Sequence, residues 1–98
     1  MTIEIKRNAE ETVIELAGRL DTTTAPALDK TINGDIGDAK NLVLNVKGLE
    51  YISSAGLRVL LSAQKKFQKC GYMKLTNVRE EVMEVFEMTG FADILTIE

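Results

Sequence analysis

The sequence predicts an α/β sandwich with a mixed sheet of four to five strands and three to four helices. Residues 2–6 and 12–17 alternate apolar and polar side chains, which is typical of half-buried strands, and the short polar turn from Asn8 to Glu11 joins them as an antiparallel hairpin. Further along the 98-residue chain, strand-like and helical segments alternate. A hairpin followed by such units predicts a mixed sheet within one domain.

A short helix and a loop are predicted after the hairpin. Gly18 ends the second strand, and the threonines that follow it offer helix N-caps. Pro26 suits a first helical turn, because the backbone N–H that proline lacks would have no partner there. We therefore expect a helix from about Ala25 to Ile32. The Gly- and Asp-rich stretch at 33–38 is typical of a loop.

The middle of the chain predicts a central strand and an amphipathic helix. Residues 41–46 (NLVLNV) are mostly apolar with little alternation, as in a strand that is covered on both faces, and the stretch KGLEY is expected to form a turn. From Leu57 onward, apolar residues recur at helical spacing, and the basic side chains lie largely off that stripe. This helix should end before Gly71, which is a favourable residue after a helix.

The last third predicts a strand, a helix and a short closing strand. YMKLTNV (72–78) is strand-like, and REEVMEVFEMT (79–89) has helical periodicity that ends at Gly90. The last residues, ADILTIE (92–98), are predicted to close the sheet. The helix should turn three side chains toward the core: Val82, Val85 and Phe86.

The composition argues against several functional classes. A net charge of −3 without long Lys or Arg runs disfavours nucleic acid as a partner. The chain has no histidine, so a Ser-His-Asp arrangement is impossible, and we expect no enzymatic activity. Cys70 is the only cysteine, which rules out an internal disulfide; we expect it to be buried, and we expect no metal and no cofactor.

The sequence contains no membrane-spanning or export signal. No apolar run approaches the roughly 20 residues of a membrane span, and the start MTIEIKR lacks the apolar core of a signal peptide. We therefore expect a soluble cytoplasmic protein.

Two adjacent serines in YISSAGLRVLL (51–61) stand where the central helix should begin. One interpretation is structural, because serine is a preferred N-cap and Ser54 would then only start the helix. The other is functional. A helix N-terminus favours an anion, so a phosphate on Ser54 would be tolerated, and its charge would disrupt an interface formed there. Gly56 suits a partner that approaches closely or tight packing at the turn.

Three stretches resemble the STAS domain family, and most closely its stand-alone bacterial anti-anti-sigma factors (anti-sigma factor antagonists). LAGRLDTTTAPAL (16–28) is similar to the family's G-x-L-D segment, and VREEVMEVFEMTGF (78–91) to its last helix. The specific stretch is LVLNVKGLEYISSAGLRVL (42–60), which resembles the family's central strand and D-S-[ST]-G-L motif. The resemblance covers essentially the whole chain, so it implies a single domain over residues 1–98 with a STAS-like sandwich.

The resemblance also implies which residues are functional. Ser54 falls on the family's phosphoacceptor, whereas Ser53 replaces the motif's acidic residue and Ala55 its second Ser or Thr. The residues alone equally allow Asp21 and its threonines to be only helix caps, and Arg58 to be a solvated charge. Family binding surfaces use the G-x-L-D loop and the start of the serine helix, which implies partner contacts at Asp21, Thr22, Thr23, Ser53, Ser54, Gly56, Leu57 and Arg58.

The activity implied by the resemblance is a partner switch. The unmodified domain binds an anti-sigma factor that is itself an ATP-dependent serine kinase and so frees the sigma factor. Phosphorylation releases the domain, and a PP2C-type phosphatase resets the system. A rival hypothesis is a non-switching STAS subunit of a membrane transport complex, which Ser53 in place of the acidic residue would suit. A nucleotide-binding domain is disfavoured, because no G-x-x-x-x-G-K phosphate loop is present.

Overall fold

The computed structural model describes residues 1–98 and confirms the α/β class with four strands and three α-helices. A π-helical turn over Thr31–Asp35 follows the first helix, and a 3-10 turn over Phe91–Asp93 follows the last. No helix is long and apolar enough to cross a membrane. The main elements in chain order are β1 (Thr2–Arg7), β2 (Thr12–Leu20), α1 (Ala25–Lys30), β3 (Asn41–Ile52), α2 (Ser54–Gln68), β4 (Tyr72–Thr76) and α3 (Glu80–Thr89).

The sheet is mixed, as predicted, with the strands in the order β1-β2-β3-β4. β1 runs antiparallel to β2, whereas β2, β3 and β4 are parallel to one another. The polar turn of the hairpin is held by Asn8, whose Oδ1 accepts hydrogen bonds from the backbone N–H groups of Glu10 and Glu11 at 2.9 and 2.7 Å. The carboxyl ends of the parallel strands therefore lie at one edge of the sheet.

A single hydrophobic core lies between the sheet and its helices. Leu42 and Leu44 of β3 belong to the same buried cluster as Phe67 of α2 and Phe86 of α3, so the helices cover one face of the sheet. Val82 of α3 is also buried, as predicted, whereas Val85 is half-buried.

The opposite face of the sheet is more open than the sequence suggested. The expected double coverage of the central strand is correct for Val43, which is 7% exposed. It is wrong for Asn45, which is half-buried, and Lys47 beyond it is exposed. Helices on one face only leave this side of the sheet to polar side chains.

β3 continues to Ile52, so the prediction of a turn at KGLEY is wrong. The pairing of β2 with β3 shifts register between Glu15 and Ala17. Gly48 lies at this irregularity, where an added Cβ would stand 2.6 Å from the Cβ of Ala17. This irregularity interrupts the alternation of buried and exposed residues along β3, so the next buried residue after Val46 is Leu49. The sequence here therefore lacks the alternating pattern that indicates a strand.

Several predicted ends were also wrong. β2 continues to Leu20, past Gly18, which was predicted to end it. α1 ends at Lys30 rather than Ile32, because the chain widens into the π-helical turn. β4 ends at Thr76 rather than at 78, because Asn77 adopts a positive φ of 59°. α2 ends at Gln68, before Gly71 as predicted, but Cys70 in the turn beyond it is exposed rather than buried.

The predicted closing strand is wrong, although the chain does return to the sheet. Gly90 ends α3 as predicted, with a left-handed φ of 83°. The 3-10 turn takes up Phe91–Asp93, and the chain turns and bends again at Ile94 and Leu95, so it reaches β4 only at its last residues. Only a bridge between Leu75 and Ile97 forms on β4.

Candidate functional site

The structure brings the two predicted functional segments to the same edge of the sheet. β2 and β3 end side by side, with Leu20 in register with Ile52. The backbone N–H of Ser53 donates to the carbonyl of Leu20 at 2.9 Å, so the loop after β2 and the start of α2 are directly connected. The predicted residues that follow β2 are therefore neighbours of those that follow β3.

The loop after β2 is ordered around the carboxylate of Asp21. Its Oδ1 accepts hydrogen bonds from the Thr23 hydroxyl at 2.7 Å and from the Thr23 and Thr24 backbone N–H groups at 3.0 and 3.2 Å. The Thr23 hydroxyl is the main reason why the pKa of Asp21 lies below its usual value. The Thr24 hydroxyl donates to the carbonyl of Arg19 at 2.8 Å. Thr22 and Thr23 are exposed, so the loop that carries the ionised Asp21 carboxylate is accessible to a partner.

Two residues that sequence reasoning missed extend this surface. Arg19 and Tyr51 are in register at the ends of β2 and β3, and the guanidinium carbon of Arg19 lies 4.1 Å from the centroid of the Tyr51 ring. Nε of Arg19 also lies 3.9 Å from Oδ2 of Asp21. Tyr51 is 41% exposed, so its ring is accessible to a partner. Tyr and Arg are the residue types most often found at the energetic centre of protein interfaces.

The two serines differ in accessibility. Ser53 occupies the N-cap position with extended backbone (φ −102°, ψ 177°), and α2 begins at Ser54. The structural interpretation of Ser54 as the N-cap is therefore wrong, because the helix starts one residue earlier than that role requires. The hydroxyl of Ser53 is enclosed, makes no capping bond and has no hydrogen-bond partner. Ser54 is exposed in the first helical turn, so its hydroxyl is the reachable one.

Gly56 lets α2 sit directly on the strand ends. An added Cβ would lie 2.7 Å from Cγ of Leu20 and 2.9 Å from Cγ1 of Ile52, and both of these side chains are buried. Tight packing thus accounts for this glycine. Gly56 and Leu57 are buried beneath the surface, whereas Arg58 is exposed one turn after Ser54.

The site offers electrostatic recognition and no evident catalytic pair. The first backbone N–H groups of a helix lack partners within it, and the positive end of the helix dipole adds to their attraction for anions. In α2, Arg58 lies one turn after Ser54, Lys65 and Lys66 lie in the last turn, and no residue is acidic. No group of three or more His, Cys, Asp or Glu side chains is placed to hold a metal ion. A negative group attached at Ser54 would therefore meet favourable charge.

The chain is similar to known proteins in both sequence and fold. The family model of the STAS domain matches residues 2–98. The chain is similar to the anti-sigma-B factor antagonist of Bacillus subtilis (strain 168), with 29% identity over 98 residues, covering 99% of this chain and 90% of that relative.

Solved structures share the fold at lower sequence identity. An anti-sigma factor antagonist from Mycobacterium paratuberculosis superposes with a TM-score of 0.87 at 23% identity, covering 98% of this chain and 83% of that one. The anti-sigma factor antagonist SpoIIAA in its unphosphorylated form gives a TM-score of 0.82 at 21% identity, covering 99% of this chain and 88% of that one. Bacillus SpoIIAA in its phosphorylated form gives 0.76 at 21% identity, with 99% and 91% covered. These likenesses confirm the predicted sandwich.

Proposed function

Because this chain belongs to the STAS domain family, we propose that it is a cytoplasmic anti-sigma factor antagonist that is switched by phosphorylation of Ser54. In its unmodified form it binds an anti-sigma factor serine kinase and frees the sigma factor. Phosphorylation releases the antagonist, and a PP2C-type phosphatase restores it. The protein acts by binding and carries out no catalysis of its own.

The observation that carries this proposal is the contrast between the two serines. A kinase must reach a hydroxyl, and Ser54 is exposed, whereas the oxygen of Ser53 is enclosed. The relatives that support the proposal are named anti-sigma factor antagonists, and one solved relative is described in a phosphorylated form.

The charges around Ser54 explain how a phosphate could switch binding without unfolding the chain. A phosphoserine adds about −1.5 to −2 charges. Within the protein, the helix N-terminus and Arg58, four residues further along α2, favour that charge. Toward a partner docked on the same surface, the phosphate would add bulk and a charge to be desolvated, which is costly at an interface. Binding is therefore lost while folding is retained.

The partner surface in this proposal comprises the predicted residues of the Asp21 loop and the first turn of α2, together with Arg19 and Tyr51. Arg19 lies close to both the Asp21 carboxylate and the exposed Tyr51 ring, so this surface combines charged and aromatic groups. Gly56 and Leu57 support this surface from below, because both are buried.

Affinity capture from a lysate of the source organism tests the proposal directly. The immobilised protein should retain an anti-sigma factor kinase, and Mg-ATP should release it, with phosphate mapped to Ser54. Ser54→Ala should bind and resist release, Ser54→Asp should bind weakly, and Ser53→Ala should behave as the wild type. A phosphate found only on Ser53 or on a threonine would refute the assignment.

Stability measurements on the same variants separate switching from misfolding. Ser54 is exposed and is not the N-cap, so Ser54→Ala should change the free energy of unfolding by less than about 0.5 kcal/mol. Ser54→Asp should stabilise the protein by about 0.3–1 kcal/mol through the helix dipole. Capture of a transport permease, with no response to ATP, would instead favour the non-switching subunit.

A further inference from the structure

β1 is an edge strand whose outer backbone groups have no partner, because it pairs only with β2. The backbone N–H of Asn8 donates to the carbonyl of Glu11 at 3.0 Å, which identifies these two as a hydrogen-bonded pair of the hairpin. In an antiparallel ladder such pairs alternate along the strand. The residues of β1 that direct their N–H and C=O groups away from β2 are therefore the odd-numbered ones, Ile3, Ile5 and Arg7.

Two side chains of this edge lack contacts that their chemistry favours. Ile5 is 38% exposed although it lies on the helix-covered face. On the other face, Glu4 stands directly opposite Glu15, and like charges in such positions repel. Lys6 is paired with Glu15 at 3.2 Å, and Glu4 has no ion pair within the chain. The edge thus has free backbone groups, an exposed isoleucine and an unpaired carboxylate.

We propose that β1 pairs in antiparallel fashion with β1 of a second copy of this chain, about a two-fold axis at Ile5. A two-fold axis at Glu4 would set Glu4 against itself, and one at Lys6 would set Lys6 against itself. An axis at Ile5 sets Ile5 against Ile5 and places Glu4 of each copy opposite Lys6 of the other. In this register the outward N–H and C=O groups of Ile5 bond across the axis.

This pairing corrects the electrostatic defect of the free edge. Lys6 of the second copy would lie beside Glu4 on the side away from Glu15, so the Glu4 carboxylate gains the cationic partner that it lacks at the free edge. The contact involves a strand of only six residues, so it buries less than the roughly 1,200 Å² of a standard interface. We therefore expect a weak, salt-sensitive dimer. Ser54 follows β3, two strands away from this edge, so the dimer is independent of the proposed switch.

Sedimentation velocity of the whole chain, at concentrations up to about 1 mM and at low and high salt, tests the pairing. The wild type should shift toward a dimer as concentration rises, and added salt should weaken this shift. Glu4→Lys or Lys6→Glu alone should leave a monomer, because each change sets like charges opposite one another. The double variant, with both changes, restores complementarity and should dimerise again.

Two further variants distinguish backbone pairing from general charge effects. Ile5→Pro removes an outward N–H that the hairpin does not use, so the strand should still fold while the dimer is lost. Lys65→Glu makes the same charge change as Lys6→Glu at an exposed position of α2, away from β1, and should dimerise like the wild type. A wild type that is monomeric at the highest concentration in low salt would overturn the proposal. So would a folded Ile5→Pro variant that dimerises normally, or a folded double variant that stays monomeric.

Discussion

Replacing Gly56 by alanine should lower the stability of the protein, although the same replacement usually stabilises a helix. The added Cβ would stand 2.7 Å from Cγ of Leu20 and 2.9 Å from Cγ1 of Ile52. Ordinary contacts between carbon atoms are about 3.5–4.0 Å. Both obstructing atoms are close to the backbone of side chains that are at most 3% exposed, so neither can swing away freely. The first turn of α2 must therefore move away from the strand ends.

The expected magnitude follows from two opposing effects. Overpacking a core by extra carbon atoms costs about 1–3 kcal/mol, whereas exchanging glycine for alanine inside a helix gains about 0.5–1 kcal/mol. We expect a net loss of about 1 kcal/mol in the free energy of unfolding, which lowers the thermal midpoint by about 4–8 °C in a domain of this size.

A matched control isolates the clash. An added Cβ at Gly34 would meet no atom within 4 Å, and the backbone there does not have a positive φ. Gly34→Ala should therefore be neutral or gain up to about 1 kcal/mol. Urea denaturation of both variants measures the difference. If Gly56→Ala were as stable as the wild type, or shifted in the same direction as Gly34→Ala, the packing explanation would be wrong.

Two further predictions concern titrating groups. The pKa of Asp21 lies below its usual value, chiefly because of the Thr23 hydroxyl. The stability that ionised Asp21 contributes is therefore fully present above the pKa of the unfolded state. It is lost as the pH falls through the pKa of the folded state. The stability difference between wild type and Asp21→Ala in urea should thus shrink on acidification; a difference independent of pH would contradict this. The hydrogen bond to Glu11 is the main cause that raises the pKa of Tyr72 to about 12. Glu11→Gln should therefore lower this pKa toward 10, measured by ultraviolet titration in a Tyr51→Phe background where Tyr72 is the only tyrosine. An unchanged titration curve would refute that cause.

Sequence periodicity predicted the elements whose side chains follow one regular pattern. The hairpin alternates over its predicted residues and α2 shows a continuous apolar stripe, so both were located, although β2 continues to Leu20 beyond its predicted end at Gly18. The second half of β3 was missed because the irregular pairing opposite Gly48 interrupts alternation. The closing strand was wrongly predicted, because ADILTIE gives no indication that a 3-10 turn will take up its first residues. Long-range pairing with β2 decides the first case and a local turn the second, and side-chain periodicity reveals neither.

The predicted residues around Asp21 and Ser54 came from recognised motifs, and the structure explains why their neighbours were not found. Arg19 and Tyr51 lie 32 residues apart in sequence and meet only because β2 and β3 end in register. The one indication in the sequence was an aromatic residue, Tyr51, close to the two serines. The start of α2 was misplaced by one residue, because either serine could have served as the N-cap.

The position of Ser53 bears on whether Ser54 can act as a switch without the acidic residue found in the family motif. An aspartate at the N-cap would place a negative charge beside Ser54 and would also occupy the free N–H groups of the first turn. Ser53 adds no charge, and its enclosed hydroxyl makes no capping bond. The first-turn N–H groups thus remain available to a phosphate on Ser54, and the residue at position 53 adds no carboxylate beside it. Replacing the acidic residue by serine therefore leaves the phosphorylated state of α2 electrostatically favourable, and any loss would fall on recognition by the kinase.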